Sequence, residues 1–279
     1  MTRNESSGDS LSFIGTATTL LRLGGFRVLT DPNFLHMGQW SYFGQGLFSR
    51  RRTEPAMQPA DLPPLTAVLL SHLHGDHFDR VARRELDRAV PIVTTEQAAD
   101  KLRQGGFRAP VGLSTWATET FADGEATLTV TAVPARHTAG PLNLLLPRVM
   151  GSVLEYRPSA NVTPLRVYVS GDTVLHDDLA LIRDRFPVLD LAVLHLGGTR
   201  VFGVLLSMDH KQGVDLLELL EPATAVPVHY DDYGLFTSPV SNFLTEVRDR
   251  APAARVRLLR RGDTVPLDGS LLGPPGQQR

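Results

Sequence analysis

Residues 71 to 79 read SHLHGDHFD, three histidines and two aspartates within nine positions, directly after the apolar run AVLLS. The segment LTAVLLS (65–71) has the length and composition of a short buried strand. DHFDRVARRELDRAV (76–90) shows helical spacing with exposed Arg and Glu, so the cluster sits at a strand-to-helix junction. If extended backbone continues into the cluster, the period of two puts His72 and His74 on one face. Asp76 and His77 then fall where the chain turns toward the helix. Two imidazoles at a strand end, with a carboxylate and a third imidazole on the turn above, can feed two adjacent cation positions. Neutral histidine and carboxylate together suit zinc, and also manganese or iron.

Six residues cannot supply all the ligands of such a site, so further His or Asp is expected where other apolar runs end. Three positions fit: His137 in TAVPARHTAG, Asp172 in LRVYVSGDT and His229 in TAVPVHYDD.

Composition bounds the remaining possibilities. The 279 residues, 42% hydrophobic, can bury a large core. There is no cysteine, which excludes disulfides and thiolate ligands. A net charge of −2, from 28 basic and 30 acidic residues without a long single-sign block, leaves no nucleic-acid footprint in the totals. The start, MTRNESSGDSLSF, lacks a basic region followed by an apolar core, and no run reaches the ~18 apolar residues of a membrane helix. A protein that does not span the membrane and stays in the cytoplasm is the expectation.

Working outward, residues 11 to 31 alternate around Gly24-Gly25, a hairpin signal. Residues 32–64 lose periodicity, mix Pro, Gly and aromatics with Arg50-Arg51-Arg52, and read as a lid-like loop. Strand-like PIVTT, ATLTVTAV, SVLEYR, LRVYV, LAVLHL and TAVPV then alternate with helix-like EQAADKLRQ, KQGVDLLELL and NFLTEVRDRA. Two sheets packed face to face with helices outside are expected, as a single domain over 12–265. Residues 1–11 form a disordered N-terminus and 266–279 a flexible tail in this reading.

SHLHGDH, ARH, SGDT and PVHYDD, in that order, resemble the metallo-β-lactamase superfamily, whose metal motif is His-x-His-x-Asp-His followed by a later His, Asp and His. The opening GTATTLLRLGGFRVLTDP is similar to the branch holding ascorbate-phosphate lactonases and the phospholipase D that acts on N-acyl phosphatidylethanolamine. The resemblance spans roughly residues 12 to 265. It implies an α/β (α+β) fold, a four-layer αββα sandwich, with His72, His74 and His137 on one metal, Asp76, His77 and His229 on a second, and Asp172 bridging them. Where that branch reads Gly-His-Ala-Thr, this chain has Gly15-Thr16-Ala17-Thr18. The lactamases proper use a cysteine ligand that this chain lacks, and diiron redox relatives usually carry Glu where His74 stands.

Two divalent ions, zinc first with manganese or iron as alternatives, lower the pKa of a shared water and present hydroxide to carbon or phosphorus. Asp76 is the candidate for orienting that water or accepting its proton. The expected activity is a dinuclear metal-dependent hydrolysis of a small phosphodiester, ester or lactone. A nuclease of the same superfamily and a non-catalytic metal-stabilised binding or sensing protein are the alternatives. A small-molecule partner, phosphorylated or lipid-like, is expected, and assembly into homo-oligomers stays open.

Four further residues and one arginine run have two readings each. Asp31 either accepts a hydrogen bond from a ligand histidine or only starts the loop. His195 is a satisfied core histidine or a substrate contact. His210, just after the N-cap Asp209, faces substrate or occupies the first helical turn. Tyr230 lines the mouth of the site or packs on a loop edge. Arg50–Arg52 grip a phosphate or form a solvated run.

Overall fold

A computed structural model describes residues 8–44, 46–140, 143, 146–201, 203–251 and 253–268. The first half runs through β1 (Ser10–Gly15), β2 (Thr18–Leu23), β3 (Phe26–Thr30), β4 (Trp40–Tyr42), β5 (Phe48–Arg50), β6 (Ala67–Leu69), α1 (Arg80–Glu85), β7 (Ile92–Thr95), α2 (Glu96–Gln104) and β8 (Pro110–Leu113). Next come β9 (Thr118–Asp123), β10 (Ala126–Val133), β11 (Gly151–Arg157), β12 (Leu165–Val169), α3 (Ala180–Arg185) and β13 (Leu191–His195). The chain ends with β14 (Arg200–Val201), β15 (Val204–Leu205), α4 (His210–Leu220), β16 (Thr224–Val228), α5 (Val240–Arg250) and β17 (Thr264–Pro266).

Two sheets carry the fold, ordered β17-β1-β2-β3-β6-β7-β8 and β16-β13-β12-β11-β10-β9. Leu11, Leu21, Val28, Leu69 and Val93 of the first face Leu128, Leu154, Val169, Val193 and Val226 of the second in one buried cluster. On the outer face of the first sheet, Ile14, Leu29 and Ile92 pack on Phe78, Ala82 and Leu102. On the outer face of the second, Tyr168, Ala192 and Leu194 pack on Ile182, Leu217 and Phe243. The layers are therefore helix, sheet, sheet, helix, the αββα sandwich expected from the alternation of the strands. Each fully buried aliphatic side chain contributes about 1.5–3 kcal/mol to that packing.

Strand period fixes where the polar residues emerge. In β13, Leu191 and Val193 face the other sheet while Ala192 and Leu194 face the helices, so His195 inherits the inter-sheet side at the strand's end. β13 lies parallel to β16, with His195 opposite Val228, and parallel to β12, with Val193 opposite Val169. His229 and Asp172 thus leave the sheet at the same edge. In the first sheet β3 and β6 are parallel, Thr30 opposite Leu69, which brings Asp31 and Ser71 out together.

Several expectations need correction. Ser10 and Leu11 are strand rather than disordered, because β1 is held between β2 and β17. Leu267 is buried and its N–H donates to the Asp9 carbonyl at 2.8 Å, so order passes the expected boundary at 265. Residues 1–7 and 269–279 lie outside the described residues. The helix expected over 76–90 is only Arg80–Glu85: Asp79 caps it by accepting from Ala82 N–H, and Leu86 adopts extended backbone at its end. The lid-like stretch 32–64 holds a β4–β5 hairpin, with Trp40 opposite Arg50. Arg51, expected in a solvated run, is 1% exposed. Its guanidinium donates to Asn33 O at 2.9 Å and to Asn33 Oδ1, and lies 3.6 Å from Asp232.

Candidate metal centre

The ends of β6, β10, β12, β13 and β16 converge on one polar pocket between the sheets. Three groups of side chains there offer ligand atoms that all lie within 4.8 Å of one another. The first is His72, His74 and His137; the second is Asp76, His77, Asp172 and His229; the third, sharing His77, adds Asp31 and His195. Apart from the partly exposed His74, all of these are buried.

The sequence SHLHGDH reaches this arrangement because Gly75 lets the hairpin come close. A Cβ there would stand 2.7 Å from the main-chain oxygen of Tyr42, while Gly75 N–H donates to that same oxygen at 2.8 Å. His72 Nε2 and His74 Nδ1 approach to 2.8 Å. The Nδ1 of His137 lies 3.3 Å from the Leu206 carbonyl, which suits an N–H there and leaves Nε2 as the ligand atom. Asp76 Oδ2 is 3.0 Å from His229 Nε2 and 3.5 Å from His77 Nε2. Asp172 is 3.4 Å from His77 Nε2, 3.5 Å from His229 Nδ1 and 3.3 Å from His195 Nδ1.

Behind the imidazoles stand fixed acceptors. Asp31 Oδ1 accepts from Ser71 N–H at 2.8 Å and Ser71 Oγ at 2.9 Å, while its Oδ2 lies 3.4 Å from His77 Nδ1. His229 holds left-handed backbone at φ 61°, as do Asp31 at 35° and Thr16 at 54°. Three such non-glycine residues around one pocket mark strain concentrated at this edge of the sheets.

Burial sets the protonation states. It pushes His74 down to about 3, and also lowers His72 and His137, so these three are neutral and ready to ligate at pH 7. His77 goes the other way: burial opposes its charge, but Asp172, Asp76 and Asp31 outweigh it and raise its pKa. Burial likewise works against ionised Asp76 and Asp172, yet the neighbouring histidines hold both carboxyls below the usual range.

His77 Nε2, His137 Nε2, His195 Nε2, His229 Nδ1 and Asp76 Oδ1 are all buried without a hydrogen-bond partner among the described residues. Each such atom costs about 1–3 kcal/mol when left unmatched. Five in one pocket, all of them good ligands for borderline divalent cations, fit residues arranged to hold metal.

The remaining candidates are placed as follows. His210 is the first residue of α4, its Nδ1 3.2 Å from Ser238 Oγ, and it joins none of the three ligand groups. Tyr230 is buried, its phenol pushed up to about 12 by burial and by Asp231, and it does not wall the central cavity. The aromatic ring on His229 is Phe236, at 4.2 Å between centroids, part of a cluster with Phe43 and Tyr233. Sequence reasoning missed Phe236, Ser71, Asn33 and Asp232. For Asp232 the only available signal was its place three residues after His229.

Comparison with known proteins identifies the family. Residues 26–230 match the family model of the beta-lactamase superfamily domain. The chain therefore belongs to the beta-lactamase superfamily. It groups there with metal-dependent hydrolases: a UPF0173 metal-dependent hydrolase of Deinococcus radiodurans is 33% identical over 204 residues, 72% of this chain and 80% of the relative. Among solved structures, an isothiocyanate hydrolase from Delia radicum gut bacteria superposes with a TM-score of 0.77 at 23% identity, covering 92% of this chain and 98% of its own. A metallo hydrolase from Ignicoccus hospitalis gives 0.65 at 21%, covering 92% and 97%. Both show the shared fold.

Proposed function

We propose that this chain is a dinuclear metal-dependent hydrolase, with His72, His74 and His137 holding one divalent cation, Asp76, His77 and His229 a second, and Asp172 lying between them. The observation that carries the reading is that His74 and His137 of one group and Asp76 and Asp172 of the other wall a single cavity of about 20 Å³. Zinc is the preferred ion, given imidazole and carboxylate donors in a chain without cysteine.

When bound, two such cations supply an activated water and neutralise charge on the oxygens of the substrate. The chain's residues do the rest. Asp76, held ionised by His77 and His229, keeps Oδ1 free to accept a hydrogen bond from a water or substrate hydroxyl and so to orient it. Phe43, Leu47, Val201, Leu206 and Leu235 form the apolar remainder of the wall, which thins out water and strengthens every charge interaction within. The substrate is a small phosphodiester, ester or lactone.

The test is metal analysis of the purified protein together with turnover of bis-p-nitrophenyl phosphate and a lactone panel. Two ions per chain are expected, with activity lost on chelation and restored by zinc. His72→Ala and Asp172→Ala should each lower turnover by at least about 100-fold, more than loss of an outer hydrogen-bonding partner would. Fewer than one tightly held ion, or variants as active as the parent, would overturn the proposal.

A further inference from the structure

A second and much larger depression opens beside the metal centre, meeting it at His74. Its volume is about 620 Å³, within the range of sites for small organic molecules. One side is the β4–β5 hairpin, which contributes Trp40, Tyr42 and Phe48; the other is the helical layer, which contributes Arg80, Arg83 and Lys101.

The two sides have different chemistry, and neither is accounted for by the fold. Trp40 is 51% exposed and Phe48 58%, although large apolar side chains that only anchored a hairpin would be covered. Tyr42 and Phe48 lean together at 4.9 Å between ring centroids and Arg50 sits over the Trp40 ring, so the aromatic wall is braced from behind. Arg80 is engaged, donating to the Trp40 carbonyl at 2.8 Å. Arg83 and Lys101 have no carboxylate within ion-pair distance among the described residues. Arg83 rests on the Phe78 ring, at 5.3 Å, and feels the charge of Asp79 without pairing with it. The one acid lining the groove, Asp79, is buried and has both oxygens occupied by the N–H groups of Phe34, Leu35 and Ala82. The groove thus offers three cations without a carboxylate partner among the described residues, Arg83 and Lys101 being the two not already donating to the hairpin, opposite an exposed aromatic wall.

We propose that this groove binds a small organic anion with a flat apolar body, the body lying on Trp40, Tyr42 and Phe48 and the anionic group meeting Arg83 and Lys101. Resting on the hydrolase reading above, the groove holds the part of the substrate that is not cleaved and presents the scissile group past His74. Charge complementarity and the limited extent of the groove favour a small soluble molecule over a polymer or a lipid surface, since the cationic side is only a few residues long and the site is concave.

The test is binding, which is independent of turnover. The fluorescent anion 1-anilinonaphthalene-8-sulfonate and its neutral counterpart N-phenyl-1-naphthylamine are titrated into the full chain, into Arg83→Gln/Lys101→Gln and into Trp40→Ser/Phe48→Ser, with circular dichroism to verify folding. One equivalent of the sulfonate is expected to bind. Its affinity should fall about 10-fold or more in the charge variant, the neutral dye being unaffected there, and both dyes should lose affinity in the aromatic variant. Equal sulfonate affinity in parent and charge variant would overturn the proposal. So would displacement of the dye by a single-stranded oligonucleotide or by phosphatidylglycerol vesicles but not by 1-naphthyl phosphate. If dye binding behaves as expected while no hydrolysis is found, the groove stands and the hydrolase reading fails.

Discussion

The main-chain N–H of His229 donates to the main-chain carbonyl of Thr16 at 2.7 Å, tying the end of the second sheet to the turn between β1 and β2 of the other. Thr16 is itself held from below, since its N–H donates to Asp232 Oδ2 at 2.9 Å. Asp232 also accepts from Thr53 Oγ1 and from Arg261 Nε at 3.2 Å, with Arg51 alongside. Asp232→Ala would leave the Arg51 guanidinium buried without its counter-charge. A loss of about 3–5 kcal/mol is expected in urea unfolding, together with a lower metal content in the protein that remains folded. Stability close to the parent would remove Asp232 from this role.

Asp31 faces His77 Nδ1 at 3.4 Å while also fixing Ser71. Asp31→Asn keeps an acceptor for Ser71 but removes the charge that favours His77 as a ligand. Metal affinity should weaken by about 10- to 100-fold, measured by competition with a chromophoric chelator. An unchanged affinity would return Asp31 to the simpler role of opening the loop.

Gly75 stands against the hairpin backbone, which has no flexible end to swing aside. Gly75→Ala must push Tyr42 and the motif loop apart, at a cost of about 1–3 kcal/mol typical of overpacking. A lower thermal midpoint and incomplete metal loading are expected, whereas Gly8→Ala, at a position without left-handed backbone and with no neighbour within 4 Å of the added carbon, should change neither.

The metal-free chain should become less stable in mild acid. His72, His74 and His137 have folded pKa values below the ordinary 6.5, so below that pH the unfolded chain takes up protons that the folded chain refuses. Each contributes up to roughly 1.4 kcal/mol of lost stability per pH unit, from about pH 6.5 downward. His77, raised by its carboxylate neighbours, acts in the opposite sense: its contribution is complete below 6.5 and fades as pH rises through its folded value. His195 and His176, also lowered by burial, act in the same sense as those three, so five groups against one give a net fall and the thermal midpoint of chelator-treated protein should drop between pH 7 and pH 5. A midpoint that rises over that interval would contradict the balance.

The layer order and the convergent histidines and aspartates were legible because each stands where an apolar run ends, and parallel strands bring such ends to one edge. His137, Asp172 and His229 required no knowledge of tertiary contacts to be chosen. Arg51 could not be told from Arg50 or Arg52, because its burial is decided by Asn33 and by Asp232, 181 positions away in the chain. The β4–β5 hairpin was hidden for a related reason. Its strands are three residues long, and both expose their outer residues while burying the middle one, too short a pattern to stand out among prolines and glycines. Phe236 reaches His229 by the path of a loop with no period to read.

The proposed ligand set draws on residues 72 to 229 and on both sheets. During refolding, neither sheet alone can offer a complete coordination sphere, and contacts this distant in sequence form late. A cation therefore cannot nucleate this fold as it does in a small zinc module. Its capture should follow the docking of the sheets, at a rate that becomes independent of metal concentration once docking limits it.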